Sequence, residues 1–149
     1  MLASALLTAC ALEPARAPEA PDPASRPERS EKTAKPRPDS GCSVAELSAT
    51  ARDVLTGLAT YYSDSLAGNS TASGEPYDPD RLTAAHRSLP FGTRVRVRRA
   101  DTRSPPVCVT VNDRGPFSGK SRIIDLSRRG AEALRIIRLG VAPVQVDVL

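Results

Sequence analysis

The sequence is poor in aromatic residues: it has no tryptophan, two phenylalanines and three tyrosines in 149 residues. Proteins that bind single-stranded nucleic acid stack the bases on exposed rings, and so few rings offer no such platform. The formal net charge is only +4, and the arginines are spread along the chain instead of forming one block. We therefore expect no nucleic-acid partner.

Metal-binding patterns and long apolar runs are also missing. The chain has one histidine, His86, and three cysteines, and their spacing matches no structural zinc site. It contains no G-x-S-x-G segment of the kind that carries acyl-transfer chemistry. No stretch reaches the roughly 20 apolar residues of a transmembrane helix. The sequence predicts no metal, no cofactor and no membrane-spanning helix.

Residues 1–10 are apolar and end in Leu7-Thr8-Ala9-Cys10, which has the form of a bacterial lipoprotein processing box. No charged segment precedes the box, so either the true start lies upstream or the box is a chance occurrence around an ordinary cysteine. We favour lipidation of Cys10, because the box ends an apolar run and precedes a linker. Ala11 is not an inner-membrane retention aspartate, so the expected location is the periplasmic face of the outer membrane, with the acyl chains in the lipid.

Two regions follow this leader. Residues 11–42 are mostly proline, alanine and charged residues, which bury too little surface to fold, and we interpret them as an extended linker. Residues 43–149 carry the apolar patterns of one small domain, which we expect to be monomeric.

Alternating valines dominate the predicted secondary structure of this domain. They indicate strands at 93–98, 107–113 and 144–148, with further strands at 58–62 and 122–126. In the strand at 93–98, Val95 and Val97 point inward, and the arginines at 94, 96 and 98 form a solvated face. Helices are predicted at 43–55, behind a Ser43–Glu46 capping box, as one turn at 81–86, and from Ser127 to Gly140. The fold class is mainly β, a closed barrel with one or two short helices.

Between the strands lie polar segments at 74–78, 84–92, 112–117 and 123–127 that bring three carboxylates and the histidine to turns or strand ends. This arrangement suggests acid/base chemistry on a polymer. Asp125 lies in the apolar run Ile-Ile-Asp-Leu, where burial raises a carboxyl pKa and retains the proton of a general acid. Glu75 is a second candidate and could pair with His86, and Asp113 could stabilise positive charge.

Structural alternatives stand beside these roles. Asp125 could cap the helix that follows it, His86 could be hydrogen-bonded near a turn, and Asp113 could satisfy its own backbone in a turn. Cys42 and Cys108 are either a disulfide or two unpaired thiols.

The polar segments and their spacing resemble the bacterial rare lipoprotein A family. The motifs that match, in order, are GLATYY at 57–62, TASGE at 71–75, AAHRSLP at 84–90, VNDRGP at 111–116 and IIDLS at 123–127. The resemblance implies a six-stranded double-psi β-barrel. It also implies a lytic transglycosylase acting on peptidoglycan, with a preference for glycan strands stripped of stem peptides. The chain ends at Leu149, so we expect no C-terminal peptidoglycan-binding repeat.

A lytic transglycosylase uses the 6-hydroxyl of its own sugar substrate, so one carboxyl can act first as acid and then as base. We predict Asp125, Glu75, His86 and Asp113 as catalytic residues, and Tyr62, Thr71, Asp78 and Arg114 as substrate-binding residues. The alternatives are a non-catalytic, expansin-like module that binds or loosens the wall, and a secreted scaffold protein.

Overall fold

The computed structural model describes residues 41–149, which belong to one compact unit. Its strands are β1 (Asp53–Tyr61), β2 (Thr83–His86), β3 (Arg94–Arg99), β4 (Val107–Asp113), β5 (Arg122–Leu126) and β6 (Ala142–Val148). Helix α1 (Val44–Ser48) precedes β1, a 3₁₀ helix (Asp64–Leu66) follows it, and α2 (Arg128–Ala133) lies between β5 and β6. The strands close into a barrel in the order β1-β5-β2-β4-β3-β6. The predicted mainly β barrel is confirmed.

Two strand pairs in the barrel are parallel, β1 with β5 and β2 with β4, and the others are antiparallel. The interior is filled by the alternating branched side chains that the sequence predicted, among them Val95, Val97, Val109, Ile124 and Val146, each with no exposed surface. Burial of one such side chain stabilises the fold by about 1.5–3 kcal/mol, so the alternation fixes the strand register.

Strand β2 corrects the helical turn predicted at 81–86. Its residues Ala84 and Ala85 have no exposed surface, and they pair with β4 on one side and β5 on the other. Neither residue favours a strand by itself. The two neighbouring ladders select the extended conformation, and the small methyl groups fit between them.

The predicted helices are shorter in the structure. The Ser43–Glu46 capping box is present, but α1 ends at Ser48, and the residues from Asp53 onward pair with β6 instead. Helix α2 ends at Ala133, well before Gly140, and Arg135 adopts a left-handed φ of 59°. A β-type residue or a left-handed residue stops a helix whatever the apolar spacing beyond it.

The predicted solvated face of β3 is wrong for Arg96. This side chain is 7% exposed, and its Nη1 donates to the carbonyls of Glu46 and Leu47 at 2.7 and 2.8 Å. Arg96 also pairs with Asp147 at 2.8 Å. The alternation correctly placed the side chain outside the barrel, but residues 41–49 cover that part of the outer surface.

A disulfide joins Cys42 to Cys108 on β4, which settles the question that the sequence left open. It ties the end of the predicted linker to the barrel. Cys10, with the predicted signal segment, and residues 11–40 of the predicted linker lie outside the described residues. Within residues 41–149, no helix has the length and apolar character needed to cross a membrane.

Candidate active site

Strand β2 places two of the predicted carboxylates on either side of one residue. Ala85 pairs with Asp113 on β4 and with Asp125 on β5, and Thr60 on β1 pairs with Asp125. Neighbouring strands lie about 4.8 Å apart, so the Cα atoms of the two aspartates are separated by roughly 10 Å. Ala85, which has no exposed surface, is the residue that separates them.

Asp125 is partly buried and accepts a hydrogen bond at Oδ1 from the Thr60 hydroxyl. Burial raises the pKa of Asp125, and the nearby charge of Asp113 acts in the same direction. The Thr60 hydrogen bond and the positive charges of Arg122 and Arg87 oppose that rise without cancelling it. The carboxyl therefore retains its proton above the usual pH range of an aspartic acid, as a general acid requires.

Gly115 lies beside the other oxygen of Asp125. A Cβ at this glycine would lie 3.8 Å from Asp125 Oδ2, and the residue adopts a φ of 135° that side chains disfavour. The backbone conformation, more than the space beside the acid, accounts for the glycine at this position.

Asp125 does not cap helix α2, so that alternative is wrong. Ser127 is the N-cap, and its own hydroxyl accepts from the Gly130 amide at 3.2 Å. The Asp125 side chain instead contacts Thr60 on the neighbouring strand β1.

Asp113 is held by three donors. The Tyr62 hydroxyl donates to Oδ2 at 2.6 Å, and the amides of Ala72 and Arg114 donate to Oδ1 at 2.7 and 2.8 Å. The Arg114 contact is the local turn predicted as the structural alternative, while the other two come from distant segments. Burial, with the Asp113 hydrogen bond, raises the pKa of Tyr62, so the phenol stays protonated and donates.

Glu75 is exposed near the same end of β4. Its carboxylate accepts from Asn112 Nδ2 at 3.2 Å and from Arg81 at 3.5 Å, so its contacts are with these residues and not with His86. Because Asn112 precedes Asp113 on β4, Glu75 lies at the edge of the carboxylate pair.

Two cavities meet at Tyr62. The larger, of about 520 Å³, is lined by Thr60 and Arg122 among others, and the smaller, of about 180 Å³, by Thr71 and Asp113. Tyr62 lines both. The hydroxyl that binds Asp125 and the carboxylate of Asp113 thus belong to adjoining hollows, an arrangement suited to an extended ligand.

A family model described as lytic transglycolase matches residues 54–146, the range that contains the whole cluster. The chain belongs to this family. The family match confirms the double-psi β-barrel that the motifs implied.

Curated relatives bear matching names. A probable endolytic peptidoglycan transglycosylase RlpA from a Nostoc species is 46% identical over 130 residues, which cover 85% of this chain and 33% of the relative. The endolytic peptidoglycan transglycosylase RlpA of Campylobacter jejuni is 40% identical over 97 residues, covering 65% and 34%. The chain therefore spans about a third of the length of these relatives.

Solved structures share the barrel. A Streptomyces papain inhibitor superposes with a TM-score of 0.53 at 24% identity, covering 66% of this chain and 96% of the inhibitor. An expansin of Clavibacter michiganensis gives a TM-score of 0.51 at 26% identity, covering 65% and 50%. The fold is therefore found in proteins of differing names.

In this lytic transglycolase barrel, His86 is hydrogen-bonded to a turn, as its structural alternative predicted. It is 8% exposed, and its Nδ1 accepts from the amides of Ser88 and Leu89 at 3.3 and 3.1 Å. Burial lowers the pKa of His86, and the neighbouring Arg114 and Arg87 lower it further. At neutral pH the ring is therefore uncharged, and its Nδ1 accepts hydrogen bonds from the turn.

The predicted binding residues are placed unequally in this family member. Tyr62 and Thr71 line cavities, although the Thr71 hydroxyl also donates to the Glu75 carbonyl at 2.8 Å. The Arg114 guanidinium donates to the Leu89 carbonyl at 2.9 Å and lies over the Phe91 ring, 3.7 Å from its centre. Asp78 is exposed and lines neither cavity, and its carboxylate accepts from the Asp80 amide at 2.9 Å, which is a turn contact.

Sequence reasoning missed Thr60, Asn112 and Arg122. Thr60 and Asn112 stand inside matched motifs, but the carboxylates that they contact, Asp125 and Glu75, lie 65 and 37 residues away in the chain. Among residues 41–149, no group of three or more histidine, cysteine, aspartate or glutamate side chains could hold a metal ion.

Proposed function

We propose that this barrel is a lytic transglycosylase that cleaves the β-1,4 bond between N-acetylmuramic acid and N-acetylglucosamine in peptidoglycan, leaving 1,6-anhydro ends. We further propose that it prefers glycan stripped of stem peptides. The observation that carries the proposal is Asp125, a partly buried carboxyl that accepts a hydrogen bond from Thr60 and whose pKa is raised by burial. Membership in the lytic transglycolase family and the names of the relatives give the reaction class.

In this mechanism Asp125 gives its proton to the glycosidic oxygen, because the departing alkoxide is otherwise too basic. The C6 hydroxyl of the muramic acid then attacks the anomeric carbon and closes the 1,6-anhydro ring, while the Asp125 carboxylate takes the hydroxyl proton. The acid is regenerated, and neither water nor a protein nucleophile takes part.

Asp113 assists through charge. Its carboxylate, fixed by Tyr62 and two amides, stabilises the positive charge that develops at the anomeric carbon. The two cavities on either side of Tyr62 hold sugars on both sides of the cleaved bond. Glu75 at the edge and Thr71 in the smaller cavity bind sugar hydroxyls.

The cellular setting is part of the same proposal. The barrel domain, residues 43–149, works on the periplasmic face of the bacterial cell envelope. Acylated Cys10 and the linker attach it to the outer membrane, and it acts as a monomer.

The second candidate is a glycan-binding or wall-loosening module without turnover. It is favoured by the structural likeness to an expansin and by the position of His86, whose Nδ1 is engaged by backbone amides. Both candidates use the same groove, and they differ in whether a bond is broken.

Mass spectrometry of the products separates them. The chain carrying Cys10→Ser is incubated with amidase-stripped peptidoglycan, beside Asp125→Asn and the matched control Asp53→Asn, which changes an exposed aspartate at the start of β1. We expect anhydro-muramyl ends from the parent and the control, and a loss of roughly 100-fold or more in Asp125→Asn. Reducing ends would indicate a hydrolase, and glycan binding without product would establish the binding module.

A further inference from the structure

The larger cavity contains two arginines in opposite electrostatic situations. Arg128 is neutralised by ion pairs with Asp64 and, at 2.9 Å, with Glu132. Arg122 lines the same cavity, and its Nη1 donates to the Ser118 hydroxyl at 3.2 Å. In the part of the chain that the structure describes, Arg122 forms no ion pair with a carboxylate.

The position of Arg122 relates it to the acid. Thr60, whose hydroxyl binds Asp125, is another lining residue of this cavity, and the positive charge of Arg122 acts on Asp125 without an ion pair between them. A guanidinium next to the reaction centre with most of its donors uncommitted is suited to bind a carboxylate of the ligand, in two parallel hydrogen bonds.

The proposed substrate offers one carboxylate of this kind. Each N-acetylmuramic acid carries a lactyl group, whose carboxylate is free when the stem peptide has been removed and is a neutral amide when the peptide is attached. A cation in the cavity distinguishes the two forms by charge, and a stem peptide adds bulk where the carboxylate would bind.

We propose that Arg122 binds the lactyl carboxylate of N-acetylmuramic acid and so makes the barrel selective for peptide-stripped glycan. This inference rests on the proposed substrate, and it gives the preference a specific residue. Arg128, already paired, does not take this role.

Binding the carboxylate also affects the acid. Asp125 is faced by Thr60 from β1, by Asp113 from β4, by Arg87 from the segment after β2, and by Arg122 from its own strand. Arg122 lowers the pKa of Asp125. A bound lactyl carboxylate offsets that positive charge, so the general acid retains its proton to higher pH with the stripped substrate than with an amidated one.

The test uses the full chain and two soluble glycan preparations. Both are amidase-stripped strands, but in one the lactyl carboxylates have been converted to methylamides, which reproduce the amide of a substituted strand without the bulk of a peptide. Equilibrium binding is measured for the parent, Arg122→Gln, Arg122→Lys and the matched control Arg103→Gln, which removes an exposed charge from the loop between β3 and β4.

We expect the parent and Arg103→Gln to bind the carboxylate glycan about tenfold more tightly than the methylamide glycan. Arg122→Gln should bind both at the methylamide level, and Arg122→Lys should keep part of the difference because it keeps the charge. Equal binding of the two glycans by the parent, or an unchanged ratio in Arg122→Gln, would overturn the inference.

The readout is independent of turnover. A parent chain that discriminates between the glycans but forms no anhydro ends would retain the role of Arg122 and reject the transglycosylase. A parent chain that forms anhydro ends equally from both glycans would support the transglycosylase and reject the role of Arg122. With an active chain, the basic limb of the kcat profile should lie at higher pH for the carboxylate glycan, and the limbs should coincide in Arg122→Gln.

Discussion

Asp125 is a side chain whose ionised form weakens the fold. Because burial raises its pKa, the folded protein holds this proton more tightly than the unfolded chain does. Its stabilising contribution is complete below the ordinary pKa of an aspartic acid and is lost as the pH rises through the raised value. Such strain at a functional group is common in active sites.

Asp125→Asn should remove this pH dependence. The amide has the same shape, needs no proton and can still accept from Thr60, so the variant should be more stable than the parent at pH 7 and differ little at pH 4. Urea unfolding at several pH values measures the difference between the two chains. A constant difference across this range would show that Asp125 does not titrate with a raised pKa.

The stability contribution of His86 depends on pH in the opposite direction to that of Asp125. Burial lowers its pKa, so its contribution to stability is present above the ordinary histidine pKa of about 6.5 and is lost as the pH falls toward the lowered value. His86→Ala leaves the amides of Ser88 and Leu89 without their acceptor and should cost about 1–3 kcal/mol.

The matched variant for this position is His86→Asn, whose side-chain oxygen can accept in place of Nδ1. We expect it to recover much of the stability and to retain activity on stripped glycan. If His86→Asn were fully folded by circular dichroism but inactive, the histidine would have a catalytic role that its contacts with the turn do not explain.

At this scale the sequence predicted the raised pKa of Asp125 but not the hydrogen-bond partner of its carboxyl. The flanking Ile123, Ile124 and Leu126 report on burial, which raises the pKa, and they are adjacent in the chain. Thr60 lies 65 residues away from the aspartate that it contacts. Only the parallel pairing of β1 with β5 joins them, and no local pattern contains that pairing.

The elements show where local patterns suffice. Alternation identified β3, β4 and β6, because each has branched residues facing the barrel interior. It failed for β2, whose Ala84 and Ala85 have weak strand preference, because β4 and β5 impose its conformation from both sides. The same rule placed Arg96 outside the barrel but could not show that α1 and its flanking residues cover it.

The ion pairs of Asp147 hold β6 to β3. Asp147 has no exposed surface, and it accepts from Arg96 Nε at 2.9 Å and from Arg98 at 2.6 Å. Burial opposes its charge, but hydrogen bonds from Gln145, Arg96 and Arg98 outweigh that effect and lower the pKa of Asp147. This contribution to stability is present above the ordinary aspartate pKa and is lost on acidification.

Asp147→Asn should destabilise the barrel by about 3 kcal/mol or more at pH 7, since it leaves the buried Arg96 charge without its counterion. Asp101→Asn is the control. Asp101 is an exposed loop residue that pairs with Arg99 at 2.6 Å, so its substitution should have little effect on stability. Chemical unfolding compares the two. Equal losses would mean that the burial of the Asp147 pair is unimportant.

For the whole molecule, residues 41–49 complete the barrel from outside. The Cys42–Cys108 disulfide and the donors of Arg94 and Arg96 to the carbonyls of Gly41 and Glu46 attach this segment to β3 and β4. The motifs lie in residues 57–127 and carry no sign of this attachment. The pairing of two cysteines 66 residues apart was therefore left open by the sequence.

Removing the disulfide should weaken the whole fold while sparing the site. Closing a loop of that length stabilises a protein by about 4 kcal/mol in the chain-entropy estimate, so the double variant Cys42→Ser, Cys108→Ser should lose a similar amount, measured by urea unfolding. Cys108 and Asp113 stand at opposite ends of β4, roughly 17 Å apart along an extended strand. The double variant should therefore form anhydro ends at the parental rate wherever it is folded, and Cys10→Ser should match the parent in stability. A folded double variant without activity would mean that the outer segment also positions the carboxylates, which would make residues 41–49 part of the functional unit.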